Sequence, residues 1–215
     1  MIVSRGRRYI FVHIPKTGGT SLATALEARA MKDDILIGDT EKALRRRKRV
    51  KDLPAKGRLW KHSRLADLDG LVSEAEMADM FVFTLVRNPW DRMVSYYHWL
   101  RAQAFEHPSV ALAKERDFSG FLNAPGQRAG LAAERYGAYM ATASGAERCD
   151  AYVRLERLEE DLAPVEAHLG FRLAPVPHLN RSERPAEYRA AYSEADAALV
   201  GRLYAEEIAR FGYAF

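Results

Sequence analysis

Residues 8–21 read RYIFVHIPKTGGTS: a short apolar run, a turn and two adjacent glycines, leading into the Ala- and Leu-rich segment SLATALEARAM. Residues 8–14, five of the seven apolar and with β-branched and aromatic side chains among them, have the pattern of a buried strand. Pro15 to Thr20 is a turn signal, and Ser21 onward has helix-forming composition. A strand, a glycine loop and a helix in that order point to the α/β class, with helices packed on a sheet.

The rest of the chain repeats the alternation. Residues 80–86 (MFVFTLV) are nearly all apolar, as expected of a central parallel strand covered on both faces. Asn88, Pro89 and Asp91 follow it, which predicts a helix capped by Asn88, with Pro89 at its first position, running to about residue 103. Residues 58–62 (RLWKH) and 151–155 (AYVRL) predict further strands. Leu158, Leu162, Val165 and Leu169 recur at helical spacing, with Pro164 drawing the helix start toward it. A last helix is predicted near Ser193, with Asp196 at the capping-box position. The expectation is one domain over residues 1–215, a central, mostly parallel sheet flanked by helices.

Charge is unevenly distributed. Residues 1–64 hold 17 Lys/Arg and 6 Asp/Glu, a net +11, within a chain of net charge +4. A basic first third suits a protein that handles anions. Its densest part, Arg45-Arg46-Arg47-Lys48-Arg49, reads as a solvated face or as a contact for a polyanionic substrate. No aromatic residue interrupts that run, so a stacking platform for nucleic acid is not indicated. The single cysteine, Cys149, excludes an intramolecular disulfide and a four-cysteine zinc site. No segment has the length of a membrane span, and the N-terminal apolar run is too short for a signal-peptide core; the expected location is cytoplasmic.

The strongest chemical signal is Pro15-Lys16-Thr17-Gly18-Gly19-Thr20-Ser21. Glycines after a strand let backbone N–H groups approach a ligand, and the following helix N-terminus favours an anion. Thr17, Thr20 and Ser21 add hydroxyls, and Lys16 adds a mobile positive charge. In the nucleotide-triphosphatase loop the lysine comes after the glycines, and the dinucleotide fingerprint is G-x-G-x-x-G. Here Lys16 precedes Gly18 and Gly19, so neither pattern is met.

This segment resembles the 5′-phosphosulfate loop of sulfotransferases that use 3′-phosphoadenylyl sulfate (PAPS). TLVRNPWDRMVSYYHW resembles their 3′-phosphate segment, with an arginine at a strand end and a serine in the next helix. The stretch from Leu179-Asn180-Arg181-Ser182 to the C-terminus is similar to the carbohydrate branch of that family. The resemblance implies a P-loop-like fold, PAPS as co-substrate and no metal. It also implies that Lys16, Thr17, Gly18, Gly19, Thr20 and Ser21 hold the phosphosulfate, that Arg87 and Ser95 hold the 3′-phosphate, and that Arg181 and Ser182 close over the nucleotide.

A hydroxyl acceptor must lose a proton as it attacks sulfur, which suits a histidine base. His13 lies within the first strand and reads as structural, and His98 reads as a helix-surface residue. His62, which follows Lys61 and precedes Ser63 and Arg64, is the candidate, and it resembles the general base of related glycan sulfotransferases. The catalytic pair is then His62 and Lys16. The acceptor is expected to be a hydroxyl-bearing small molecule or glycan, possibly acidic. Two other readings stay open from residues alone: a metal-dependent, kinase-like phosphotransferase, and a non-enzymatic polyanion-binding protein whose affinity falls steeply with salt.

Overall fold

The structure, a computed structural model, describes residues 1–173, 175–176 and 187–215. It contains two compact units, one of Met1–Val86 with Tyr136–Asn180, the other of Arg87–Arg135 with Arg181–Phe215.

The first unit carries a five-stranded sheet of β1 (Ile2–Ser4), β2 (Tyr9–Val12), β3 (Ile35–Leu36), β4 (Phe81–Val86) and β5 (Ala151–Arg154). Their order across the sheet is β3-β1-β2-β4-β5. β2, β4 and β5 run parallel, as the apolar runs predicted. β1 is antiparallel to both of its neighbours, β2 and β3. The sheet is therefore mixed, which corrects the mostly parallel expectation. The cause is the reversal at residues 5–8. Arg8 donates its N–H to the Arg5 carbonyl at 3.2 Å and adopts a left-handed φ of 54°. The Arg5 guanidinium is held by Glu76 and the Leu71 carbonyl. The hairpin turn is Arg5-Gly6-Arg7-Arg8, and the Arg7 N–H donates to Ser4 Oγ at 3.3 Å.

β4 is buried at five of its six positions, and Thr84 within it donates its hydroxyl to the Val12 carbonyl at 2.8 Å. Phe11, Phe83, Leu22, Leu26, Val153, Leu162 and Val165 belong to one core on this sheet. Leu22 and Leu26 come from α1 (Gly19–Ala28), which begins two residues before the predicted start. The second sequence-predicted strand, residues 58–62, is a turn. The Trp60 N–H donates to Ser63 Oγ at 2.8 Å and the Ser63 N–H donates to the Trp60 carbonyl at 3.0 Å. A buried serine thus supplies the backbone partners that a neighbouring strand would.

The second unit is helical. Helix Pro89–Arg101 starts where its sequence predicts, with the Trp90 N–H donating to Asn88 Oδ1 at 3.1 Å. Helix Glu194–Leu203 begins at the Ser193 cap, whose Oγ accepts the Asp196 N–H at 3.2 Å. It stops at Tyr204, and a separate helix, Ala205–Phe211, follows. Tyr204 is fully buried, and its hydroxyl donates to the Leu131 carbonyl at 3.1 Å. Among the described residues no helix is long and apolar enough to cross a membrane.

Candidate active site

The loop between β2 and α1 is held by its own backbone and by one side chain. Thr17 is fully buried and donates its hydroxyl to the Ile14 carbonyl at 2.9 Å. Its hydroxyl thus closes the turn. Lys16 has φ 66° and Gly18 has φ 87°, two left-handed residues within three. For a lysine that conformation costs about 1 kcal/mol. It is the kind of local strain found where a loop is shaped for a ligand.

α1 opens without a capping side chain and with no acidic residue in its first turn. The first N–H groups of a helix have no intrahelical acceptor. Those of Gly18, Gly19 and Thr20 find none among the described residues. The positive end of the helix is therefore directed at this loop with nothing negative beside it in the first turn. A Cβ at Gly18 would lie 2.8 Å from Leu155 Cδ1, and one at Gly19 only 2.2 Å from His13 Cδ2. Gly18 is required by its left-handed conformation, and Gly19 by the space that the His13 ring takes. The loop has features that suit an anion: helix-start amides without an acceptor, a helix dipole and a cation.

His13 sits immediately beyond β2, 6% exposed, and burial lowers its pKa well below the ordinary histidine value. Its carbonyl oxygen lies 2.7 Å from His62 Nδ1. A carbonyl can only accept, so Nδ1 carries the proton and Nε2 is left with a lone pair. The two imidazoles meet edge to face with centroids 4.7 Å apart. Trp60 packs edge-on against His62 from another side, at 5.2 Å. Burial, above all, pulls the His62 pKa down to about 4, and the neighbouring Lys61 adds to this. The His13 carbonyl and Asp39 oppose it. At neutral pH His62 is thus an uncharged imidazole in the proton-accepting tautomer.

In the second unit, Arg87 precedes the Asn88 cap and pairs with Asp91 one turn on. Arg87 Nε is 2.7 Å and Nη2 2.5 Å from Asp91 Oδ2, with both side chains mostly buried. Asp91, read from sequence as a helix-start residue, also orients this guanidinium. The i, i+4 spacing of the pair was visible in the sequence. Ser95 is 4% exposed, and no described residue provides its hydroxyl with a hydrogen bond. Arg92 is buried and donates from Nη1 to the Glu134 carbonyl at 3.0 Å. Trp90 is a packing residue whose Nε1–H donates to the Ala197 carbonyl at 2.9 Å.

The first unit brings Lys16, Thr17, Gly18, Gly19, Thr20 and Ser21 together at one loop, with His62 tied to the strand that feeds it. The second unit holds Arg87 just before helix Pro89–Arg101 and Ser95 within that helix. Arg181 and Ser182 lie outside the described residues. The positioning role of His13 has no sequence signal, since the contact joins residues 49 apart. The basic run disperses. Arg46 donates to the Met31 and Asp34 carbonyls, Arg49 donates to the Lys32 carbonyl, and Arg45 pairs with Glu41. No group of three or more His, Cys, Asp or Glu able to hold a metal occurs among the described residues.

No curated protein matches the chain. A family model described as "Sulfotransferase family" matches residues 1–214, which take in the glycine loop, His62, Arg87 and Ser95, and the chain belongs to that family.

Proposed function

We propose that this sulfotransferase transfers its sulfuryl group to a carbohydrate hydroxyl, with His62 as the base and Lys16 as the cation at the transferred group. PAPS is the co-substrate of the family and supplies the sulfuryl group, leaving adenosine 3′,5′-bisphosphate. The N–H groups of Thr17, Gly18, Gly19 and Thr20, with the Thr20 and Ser21 hydroxyls, hold the phosphosulfate. Arg87 and Ser95 hold the 3′-phosphate, and Arg181 and Ser182 cover the nucleotide. The acceptor oxygen forms its bond to sulfur as the bond from sulfur to the phosphate oxygen breaks. His62 Nε2 takes the hydroxyl proton. Lys16 and the loop amides stabilise the charge that gathers on the sulfuryl and phosphate oxygens, as preorganised donors do.

The observation that carries the base assignment is the 2.7 Å contact from His62 Nδ1 to the His13 carbonyl, which leaves Nε2 as the acceptor. The carbohydrate acceptor is supported by the similarity of the C-terminal segment to the carbohydrate branch. The test pairs two measurements on purified protein. Calorimetric titration with adenosine 3′,5′-bisphosphate reads donor binding, and transfer from labelled PAPS to a panel of glycans reads turnover. Tight nucleotide binding with label entering a glycan is the expected result. A His62→Ala variant that still turns over at the wild-type rate would remove His62 from the mechanism.

A further inference from the structure

We infer that Arg58 and Trp60 form the acceptor subsite beside His62, and that they select a sugar bearing an acidic substituent. The inference rests on His62 being the base.

Trp60 is 45% exposed, which is unusual for the largest apolar side chain in a folded protein. It lies on the same turn as His62, and its ring meets the His62 ring edge-on at 5.2 Å. The Arg58 guanidinium lies over the Trp60 ring, 5.7 Å from its centroid. Stacking of a cation on the indole face braces the ring. The turn beneath is fixed by Ser63, whose hydroxyl contacts the Arg58 and Trp60 carbonyls at 2.9 and 2.8 Å. An exposed indole offers an apolar plane to the C–H face of a pyranose, and its polar rim tolerates water.

Charge decides the substrate class. Many cations of the basic first third are engaged within the protein. Arg5 pairs with Glu76, Arg8 donates to the Asp79 carbonyl, Lys56 pairs with Asp69, and Lys61 pairs with Asp39. Arg58 is exposed, and no described residue gives it a hydrogen bond or an ion pair. Its guanidinium can grip a carboxylate or a sulfate with two parallel N–H donors. A cation of this kind next to an uncharged base selects an acceptor whose negative charge lies close to the reacting hydroxyl.

The test is binding, read independently of turnover, in the presence of adenosine 3′,5′-bisphosphate. Three probes are titrated by calorimetry: a chondroitin hexasaccharide, its carboxyl-reduced neutral counterpart, and a sulfated chondroitin hexasaccharide. Wild type is expected to bind at least one acidic probe about tenfold or more tighter than the neutral one, the scale of one charge-assisted contact. Which acidic probe binds better separates carboxylate from sulfate recognition. Arg58→Ala should bring acidic and neutral probes to equal affinity. Trp60→Ala should weaken all of them about tenfold, and Trp60→Phe less. Nucleotide affinity should stay at the wild-type value in each variant, which verifies folding. Equal binding of acidic and neutral probes by wild type, binding of none, or wild-type glycan affinity in both variants would each overturn the proposal. Failure of the base assignment is seen separately, as a His62→Asn variant that retains turnover.

Discussion

His62 Nδ1 lies 2.7 Å from the carbonyl oxygen of His13, and this single contact determines which nitrogen of His62 can accept a proton. The same His13 presents its ring to Gly19, at the opening of α1. One strand end therefore supports both the candidate base and the anion loop.

An asparagine at position 62 can keep the donor to the His13 carbonyl but has nothing at the Nε2 position. His62→Asn is expected to retain thermal stability and nucleotide affinity while losing about 10²–10⁴-fold in turnover, the range for a lost general base. Turnover near the wild-type rate in a folded His62→Asn protein would overturn the assignment.

The pKa of His62 in the free protein lies at about 4, below its ordinary value of 6.5, because burial disfavours the imidazolium. The unfolded chain binds this proton more readily, so the folded state loses stability as pH falls from about 6.5 through 4. Nitrogen-15 NMR should show the Nδ1–H tautomer at neutral pH and a midpoint near 4. Turnover should be insensitive to His62 above pH 5 and fall below it. A midpoint near 6.5 would contradict the buried, carbonyl-tied ring.

Lys16 holds a left-handed backbone that glycine adopts without cost. Lys16→Gly is expected to raise stability by up to about 1 kcal/mol, read as a higher melting temperature. The same variant should lose about 10²-fold or more in turnover, as when a preorganised donor to developing charge is removed. An unchanged turnover would show that the lysine is held in this conformation for another reason.

Gly19→Ala places a Cβ against the His13 ring, and the cost is expected to be about 1–3 kcal/mol of stability, as for overpacked cores. Gly126, within helix Pro125–Ala133, meets nothing within 4 Å. Gly126→Ala should stabilise by up to about 1 kcal/mol. Chemical denaturation of the two variants checks the contrast.

Arg87 and Ser95 should be felt only by nucleotides that carry a 3′-phosphate. Arg87→Ala is expected to weaken adenosine 3′,5′-bisphosphate by about 10²-fold, since charged hydrogen bonds contribute about 1.5–3 kcal/mol each. Ser95→Ala should weaken it less, and adenosine 5′-monophosphate should bind both variants as it binds wild type. Equal losses for the two nucleotides would argue against a 3′-phosphate grip.

The glycine loop, the β4 run and the Asn88-Pro89 helix start were legible because each depends on neighbours in the chain. Backbone conformation, capping and apolar periodicity act over a few residues, so composition reveals them. The α/β class follows from those elements. The hairpin at residues 5–8 escaped because the partners that hold Arg5, Glu76 and the Leu71 carbonyl, are distant in the chain. The turn at Trp60 escaped because a buried serine replaced a strand partner.

PKTGGTS, read alone, has the pattern of an anion loop with two adjacent glycines, and the tertiary structure supplies a reason for the second: the His13 ring fills the space a Cβ would need. His62 was a candidate by its residue type and by its likeness to a glycan sulfotransferase base. Its tautomer, its lowered pKa and its exposed neighbour Trp60 come from contacts and burial that only the folded chain creates. Local order is written in short-range sequence, whereas proton affinity depends on how much water and which distant carbonyl the fold leaves beside a ring.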